Sequence, residues 1–304
     1  MELLAISDLH LGHPVNREAL QALPPHLEDW LILAGDVGET DEHLHFALKI
    51  LTQRFARVIW VPGNHDLWTL PPRASANGAT HEIEQRLRGE AKYQQLVTIC
   101  RDYGVLTPED PYVCWNGAGG PCLLAPLFTL YDYSFRPDDV PLESAVQWAE
   151  ETDTVCVDEY LLHPTPYPTR SAWCEARCHY TEQRLQAAAS PASPFIMINH
   201  FPLHPELVQL PSIPRFSLWC GTKHTMNWHT RFPTRAVVYG HLHIRGTRYL
   251  DGVRFDEVSL GYPRNWNQQR NVDYYLRKIL PAPLPGATND HQVTEREDQD
   301  QLPA

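Results

Sequence analysis

Val58-Ile59-Trp60-Val61-Pro62-Gly63-Asn64-His65-Asp66 is the stretch from which the fold can be read. Four consecutive apolar residues, two of them valine and one isoleucine, are closed by Pro-Gly. A short unbroken apolar run of this kind reads as a strand buried on both faces. It ends in an amide, an imidazole and a carboxylate. Four further runs end the same way. Leu3-Leu4-Ala5-Ile6-Ser7 leads into Asp8-Leu9-His10, and Trp30-Leu31-Ile32-Leu33-Ala34 leads into Gly35-Asp36. Phe195-Ile196-Met197-Ile198 leads into Asn199-His200, and Ala236-Val237-Val238-Tyr239 leads into Gly240-His241-Leu242-His243.

Between the second and third runs, Leu44, Leu48, Leu51 and Phe55 recur at helical spacing over residues 41–55, and Thr40 or Asp41 is placed to cap the start. Strand alternating with helix implies a layered α/β sheet. In such sheets ligands gather at the carboxyl ends of the strands. The five polar endings are therefore expected to meet in one crevice, although they are far apart in sequence.

The gathered set is Asp8, His10, Asp36, Asn64, His200, His241 and His243. It offers oxygen and imidazole donors and no thiolate, which suits Mn, Fe, Zn or Ni. Seven donors are too many for one ion and suit two, with one carboxylate shared. Two ions a few ångströms apart can clamp the attacking and leaving oxygens of a phosphoryl transfer, and they lower the pKa of bound water.

Asp-x-His, Gly-Asp, Gly-Asn-His-Asp, Asn-His and Gly-His-x-His in this order resemble the signature of the calcineurin-like metallophosphoesterase superfamily. The resemblance spans residues 8–243. It implies an α/β fold of four layers, an αββα sandwich of two mixed sheets flanked by helices. By position it implies that Asp8, His10 and His243 hold one metal, that Asn64, His200 and His241 hold the other, and that Asp36 bridges them. His65 would stand beside the scissile phosphate as an acid, with Asp66 orienting it.

A narrower resemblance covers most of residues 1–280. It rests on Leu130-Tyr131-Asp132-Tyr133-Ser134-Phe135, Pro166-Tyr167-Pro168-Thr169-Arg170, Phe216-Ser217-Leu218-Trp219-Cys220-Gly221-Thr222, Trp228-His229-Thr230-Arg231 and Ser259-Leu260-Gly261-Tyr262-Pro263-Arg264. These resemble the phosphopantetheinyl hydrolases, which remove 4′-phosphopantetheine from acyl carrier proteins, although Asn265 stands where an acid is expected. The resemblance implies an acyl carrier protein as partner and substrate. Tyr131, Arg231 and Arg264 are the candidate substrate contacts. The alternatives are a metallophosphoesterase acting on nucleotides or small phosphate esters, and a non-catalytic scaffold that binds proteins.

The 304 residues suit one catalytic domain, 1–280, with a long insertion at 67–194, followed by an acidic tail, 281–304, whose composition predicts disorder. Aromatics in the insertion, among them Tyr93, Trp115, Tyr131 and Trp173, either line a substrate pocket or form a local core. A net charge of −12 argues against nucleic-acid binding. Residues 211–280 nevertheless hold eleven Lys and Arg against four acids, a net +7. That stretch reads equally as a landing site for an anionic partner or as a surface with internal ion pairs. Mean hydropathy is −0.39, and no apolar run approaches the roughly 20 residues of a membrane helix. The first residues lack the basic start of a signal peptide. Seven scattered cysteines suit free thiols in a reducing cytoplasm, and Cys174, Cys178 and His179 read as buried thiols more readily than as a zinc site.

Overall fold

Strand β1 (Leu3–Ile6) shows why the apolar runs are unbroken. Leu3 and Ala5 point into one buried cluster and Leu4 and Ile6 into another, so both faces are covered. In the computed structural model, which describes residues 1–71 and 86–282, helix α1 (Pro14–Gln21) follows β1, then β2 (His26–Leu33), α2 (Asp41–Arg54), β3 (Phe55–Trp60) and the single turn α3 (Asn64–Leu67). Next come α4 (Gly89–Asp102), β4 (Val113–Trp115), β5 (Cys122–Pro126), α5 (Ala145–Glu150), α6 (Asp158–Leu161) and α7 (Arg170–Ala188). The chain then forms β6 (Phe195–Ile198), α8 (Trp228–Arg231), β7 (Thr234–Tyr239), β8 (Gly246–Leu250), β9 (Val253–Glu257) and β10 (Arg277–Leu280).

One sheet has the order β10-β1-β2-β3, parallel except for β10. The other has the order β4-β5-β6-β7-β9-β8, parallel except at its two edge strands. Leu3, Ala5, Ile32 and Ile59 of the first sheet share a dry cluster with Leu124, Ile196, Ile198, Ala236 and Val238 of the second, so the sheets pack face to face. Their other faces, including Leu4, Leu33, Trp60, Phe195, Met197 and Val237, pack under Leu44, Leu48 and Leu51 of α2, Leu96 of α4 and Leu185 of α7. The result is the expected αββα sandwich.

Helix α2 starts as expected. Thr40 is its N-cap and its hydroxyl accepts from the His43 N–H at 3.3 Å, with Asp41 and Glu42 complementing the helix dipole. It ends one residue earlier than its apolar spacing suggested, because Phe55 is extended and opens β3. The segment 67–194, read from sequence as an insertion, supplies β4 and β5 to the second sheet. Tyr93, Trp115, Tyr131 and Trp173 are fully buried core residues. Cys174 and Cys178 sit on the buried face of α7, and burial pushes the Cys174 thiol well up. The tail expected to be disordered lies, from residue 283 on, outside the described residues. Among the described residues no helix is long and apolar enough to cross a membrane.

Candidate metal centre

The polar endings of β1, β2, β3, β6 and β7 converge where the carboxyl ends of the two sheets meet. Ser7 and Ser259 form a bridge between them there. The backbone is held in an unusual state at this edge. Asp8, His10, Asp36, His241 and His243 all have positive φ, between 42° and 72°. Non-glycine residues rarely adopt this conformation, and it concentrates where function compensates the strain. The motif glycines are needed for close approach. A Cβ on Gly63 would lie 2.1 Å from Asp36 Oδ1, and one on Gly240 would lie 2.4 Å from Asp8 Oδ2.

One group of donors comprises Asp8, His10 and His243. Asp8 Oδ1 is 3.0 Å from His243 Nε2, which is 3.1 Å from His10 Nε2. Asp8 Oδ2 faces away, accepting from Ser7 Oγ at 2.5 Å, Ser259 Oγ at 2.7 Å and the His241 N–H at 3.1 Å. Ser259 also contacts the buried Glu257, whose pKa is raised by burial and by Asp8.

A second group comprises Asp36, His200 and His241. His200 Nδ1 donates to the Ala34 carbonyl at 2.9 Å, which leaves Nε2 for the centre, 3.4 Å from Asp36 Oδ2. Asn64 donates through Nδ2 to Asp158 Oδ1 at 3.0 Å. Asp36 also groups with His10 and His65, so its carboxylate lies between both sets.

Burial opposes charge at this site, yet charge persists. Burial alone would raise the pKa of Asp8 and of Asp36, but the surrounding histidines, led by His200, hold both below the usual carboxylate range. Burial lowers His200 too, but Asp36 and Asp8 raise it to about 10. Burial with His65, and burial with His200, lower His10 and His241 respectively to about 3, keeping those imidazoles neutral. Two ionised carboxylates and two neutral imidazoles thus face His200, whose raised pKa reflects the same carboxylates, and a bound cation would take the place of its proton.

The donor set of Asn64, His200 and His241 fits a metal ion on an independent observation. His200 Nε2, His241 Nε2 and Asn64 Oδ1 are buried without a hydrogen-bond partner. Buried polar atoms rarely lack one, and these three sit on the residues expected to hold one metal together.

The structure assigns Asp66 a task different from the expected one. Its Oδ2 accepts from the Asp36 and Gly63 N–H groups, both at 2.9 Å, and its Oδ1 from those of Val37 at 3.0 Å and Gly38 at 3.4 Å. Asp66 thus ties the Gly-Asp loop to the Gly-Asn-His loop, and Glu39 is the carboxylate beside the outer nitrogen of His65. Burial and Asp36 push the pKa of Asp66 up to about 7, against the pull of those donors.

The candidate substrate contacts separate. Arg264 is exposed at the rim, its guanidinium 5.5 Å from the ring of Tyr262, which stacks on His10 at 4.3 Å. Tyr131 has no exposed surface, because it packs behind Phe201, which itself packs on His241. Arg231 precedes β7, at the end opposite His241, and pairs with Glu182. The basic stretch is largely consumed internally. Arg215, Lys223, Arg231, Arg254 and Lys278 have acidic partners, and Arg245 bonds three carbonyls.

Sequence reasoning missed Glu39, Trp68, Asp158 and Tyr262. Glu39 carried a signal, being an acid three residues after Asp36. Asp158 carried none, being 94 residues from Asn64.

Two sheets packed face to face with this donor cluster at their carboxyl edge define a class, and comparison with known proteins agrees. The family model for Calcineurin-like phosphoesterase matches residues 1–245, and the chain belongs to that family. Within it the chain is 46% identical, over 95% of its own length and 86% of the relative's, to a Mycobacterium tuberculosis (strain ATCC 25618 / H37Rv) protein named [Acyl-carrier-protein] phosphodiesterase PptH. It is also similar to the crystal structure of phosphopantetheinyl hydrolase (PptH) from Mycobacterium tuberculosis. The TM-score is 0.83 at 46% identity, covering 93% of this chain and 96% of that one. The family's metal-dependent hydrolases use a dinuclear site, and this chain has the residues for one.

Proposed function

We propose that this enzyme hydrolyses the phosphodiester that joins 4′-phosphopantetheine to the serine of a holo acyl carrier protein, releasing the apo carrier. The likeness to the mycobacterial phosphodiesterase along nearly the whole chain, the 67–194 segment included, carries this reading. Asp8, His10 and His243 would hold one metal, Asn64, His200 and His241 the other, and Asp36 would serve both. The nitrogen and oxygen donors suit manganese or iron, with zinc or nickel as alternatives. When bound, the ions supply positive charge for the phosphodiester and activate water.

The chain's own residues supply the rest. The serine oxygen is a poor leaving group and needs a proton. His65 Nε2 faces the cluster, 3.9 Å from Asp36 Oδ2, and would give that proton. Nδ1 faces Glu39, so carboxylates on both edges raise the pKa of the imidazole against the effect of burial. Asp66 keeps the His65 and Asp36 loops in register. Arg264, exposed beside Tyr262, would meet an anionic substrate. Residues 1–280 work as one catalytic unit, and seven free cysteines support a cytoplasmic setting.

The test is the intact mass of purified holo acyl carrier protein after incubation with this protein and Mn²⁺, with Asp36→Asn as the control. Loss of the phosphopantetheine arm with the wild type alone is expected. An unchanged carrier, with a model aryl phosphodiester still cleaved, would overturn the carrier substrate and direct the search to small phosphate esters.

A further inference from the structure

Asn64 is held from a distant part of the chain. Asp158, the first residue of α6, has no exposed surface, and its Oδ1 accepts from Asn64 Nδ2 at 3.0 Å and from Trp68 Nε1 at 2.6 Å. A carboxamide has one donor end and one acceptor end. A carboxylate that takes the donor end decides where the acceptor end points. Here it leaves Asn64 Oδ1 buried and unpartnered.

Trp68 joins this arrangement to the other half of the motif. Its ring lies against His65 with centroids 3.7 Å apart, and its carbonyl receives the Lys92 ammonium. One side chain thus contacts the carboxylate that fixes Asn64 and the imidazole that follows Asn64 in sequence. The turn that carries Asp158 is itself pinned. Arg170 donates to the carbonyls of Asp158 at 2.9 Å, Glu159 at 2.6 Å and Leu162 at 2.9 Å, and pairs with the Glu159 carboxylate at 2.8 Å.

We propose that Asp158 and Trp68 are positioning residues that lock the Asn64 amide with its oxygen toward the metal centre, and so set the affinity of the metal position formed by Asn64, His200 and His241. The inference rests on the dinuclear reading above. It adds a dependence of that position on the 67–194 segment, because a shift of α6 would release the amide. No donor of the Asp8, His10 and His243 group touches Asp158 in any contact the structure shows.

The full chain, freed of metal by chelation, is dialysed against increasing Mn²⁺, and bound metal is measured by elemental analysis. Wild type takes up two equivalents. Asp158→Asn keeps the shape but removes the charge and offers Asn64 and Trp68 only a neutral carbonyl oxygen in place of the carboxylate, so the Asn64 amide is held less firmly in one orientation. This variant retains one equivalent at wild-type affinity and binds the other about 10–100-fold more weakly, the usual cost of losing a group that orients a ligand. Trp68→Phe keeps a ring on His65 and removes only the Nε1 donor, and it weakens the same equivalent about 3–10-fold. The double variant is no weaker than Asp158→Asn, because both changes act along one path. Two equivalents at wild-type affinity in Asp158→Asn, or equal weakening of both, overturns the proposal. Where Asp158→Asn gives no cooperative melt, Trp68→Phe decides alone. A wild type that binds fewer than two equivalents overturns the dinuclear reading itself, which is a distinct result.

Discussion

Glu39 Oε1 lies 3.6 Å from His65 Nδ1, on the opposite edge of the imidazole from Asp36, whose Oδ2 is 3.9 Å from Nε2. The Glu39 carboxylate also reaches His43 Nδ1 at 3.2 Å. Burial would raise its pKa, but His43 and His65 keep it well below the usual carboxylate range, so it stays ionised. Burial likewise lowers His65, and Asp36 and Glu39 outweigh it and raise the pKa of the imidazole. A proton donor must be protonated, so activity falls on the alkaline side as His65 loses its proton. Glu39→Gln removes one raising charge and is expected to move the alkaline limb of the kcat profile to lower pH. Turnover at neutral pH should drop about 10-fold, with metal content unchanged. An alkaline limb that stays in place would remove Glu39 from the proton-transfer unit.

His65→Ala separates acid catalysis from metal binding. The His65 ring is packed between Trp68 and His10, and its Nδ1 has no hydrogen-bond partner. The expected result is turnover lower by about 10²–10⁴-fold with both metal equivalents retained. Loss of one equivalent by elemental analysis would make His65 a ligand.

Asp36 is the carboxylate common to two donor groups, and its Oδ1 is already committed to the His65 N–H at 2.8 Å. Asp36→Asn replaces half of the shared charge donor with an NH₂ group that repels cations. Turnover is expected to fall by more than about 10³-fold, with weakened uptake of both metal equivalents. Wild-type turnover in this variant would end the two-metal account.

The strands and donor motifs were legible because both report the same geometry. Leu3 to Ile6 and Phe195 to Ile198 are apolar throughout because two layers cover them, and the parallel order forces their polar endings to one edge. What sequence could not give was contact across long separations. Asp158 meets Asn64 from a turn that Arg170 pins, and nothing in the local pattern of either segment encodes that meeting. Asp66 was misread for another reason. The family resemblance implied that it orients His65, but in the turn α3 its carboxylate points back onto the backbone N–H groups of Asp36 and Gly63. Strand β5 carries a terminal proline and only five residues, too weak a pattern to separate from the loops around it. Arg231 looked like an anion contact by charge alone, and its Glu182 partner, on a helix 49 residues earlier, was not visible.

The glycines of the motifs offer a test that touches no ligand. A Cβ on Gly240 would lie 2.3 Å from Ser7 Oγ and 2.4 Å from Asp8 Oδ2, far inside contact distance. Gly240→Ala must therefore push Asp8 from the position that its two serine donors define. The expected outcome is a destabilisation of about 1–3 kcal/mol in chemical unfolding and weaker binding of the metal equivalent held by Asp8, His10 and His243. A variant that binds both equivalents normally would show that the close approach of β7 to Asp8 is not required.

Away from the site, Arg177 and Glu109 join α7 to the loop before β4. Their polar atoms are 2.6 Å apart, Tyr93 Oη donates to the same carboxylate oxygen at 2.6 Å, and the guanidinium lies over the Phe128 ring at 4.7 Å. Burial would raise the Glu109 pKa, but Arg177 and Tyr93 lower it below its ordinary value of 4.5. A carboxyl with a lowered folded pKa stabilises the fold above its unfolded pKa, and that stability is lost as pH falls through the folded value. Glu109→Gln leaves a buried guanidinium without its counter-charge, which costs about 3 kcal/mol at neutral pH. The gap between wild type and variant is expected to start narrowing below about pH 4.5, where the unfolded glutamate takes up protons, and to close only as pH falls through the lowered folded value. Urea unfolding of both proteins at neutral pH and near pH 3.5 measures this directly, about one unit below the ordinary glutamate value. A gap of constant size across that range would mean that Glu109 acts through packing and that its charge contributes nothing to the fold.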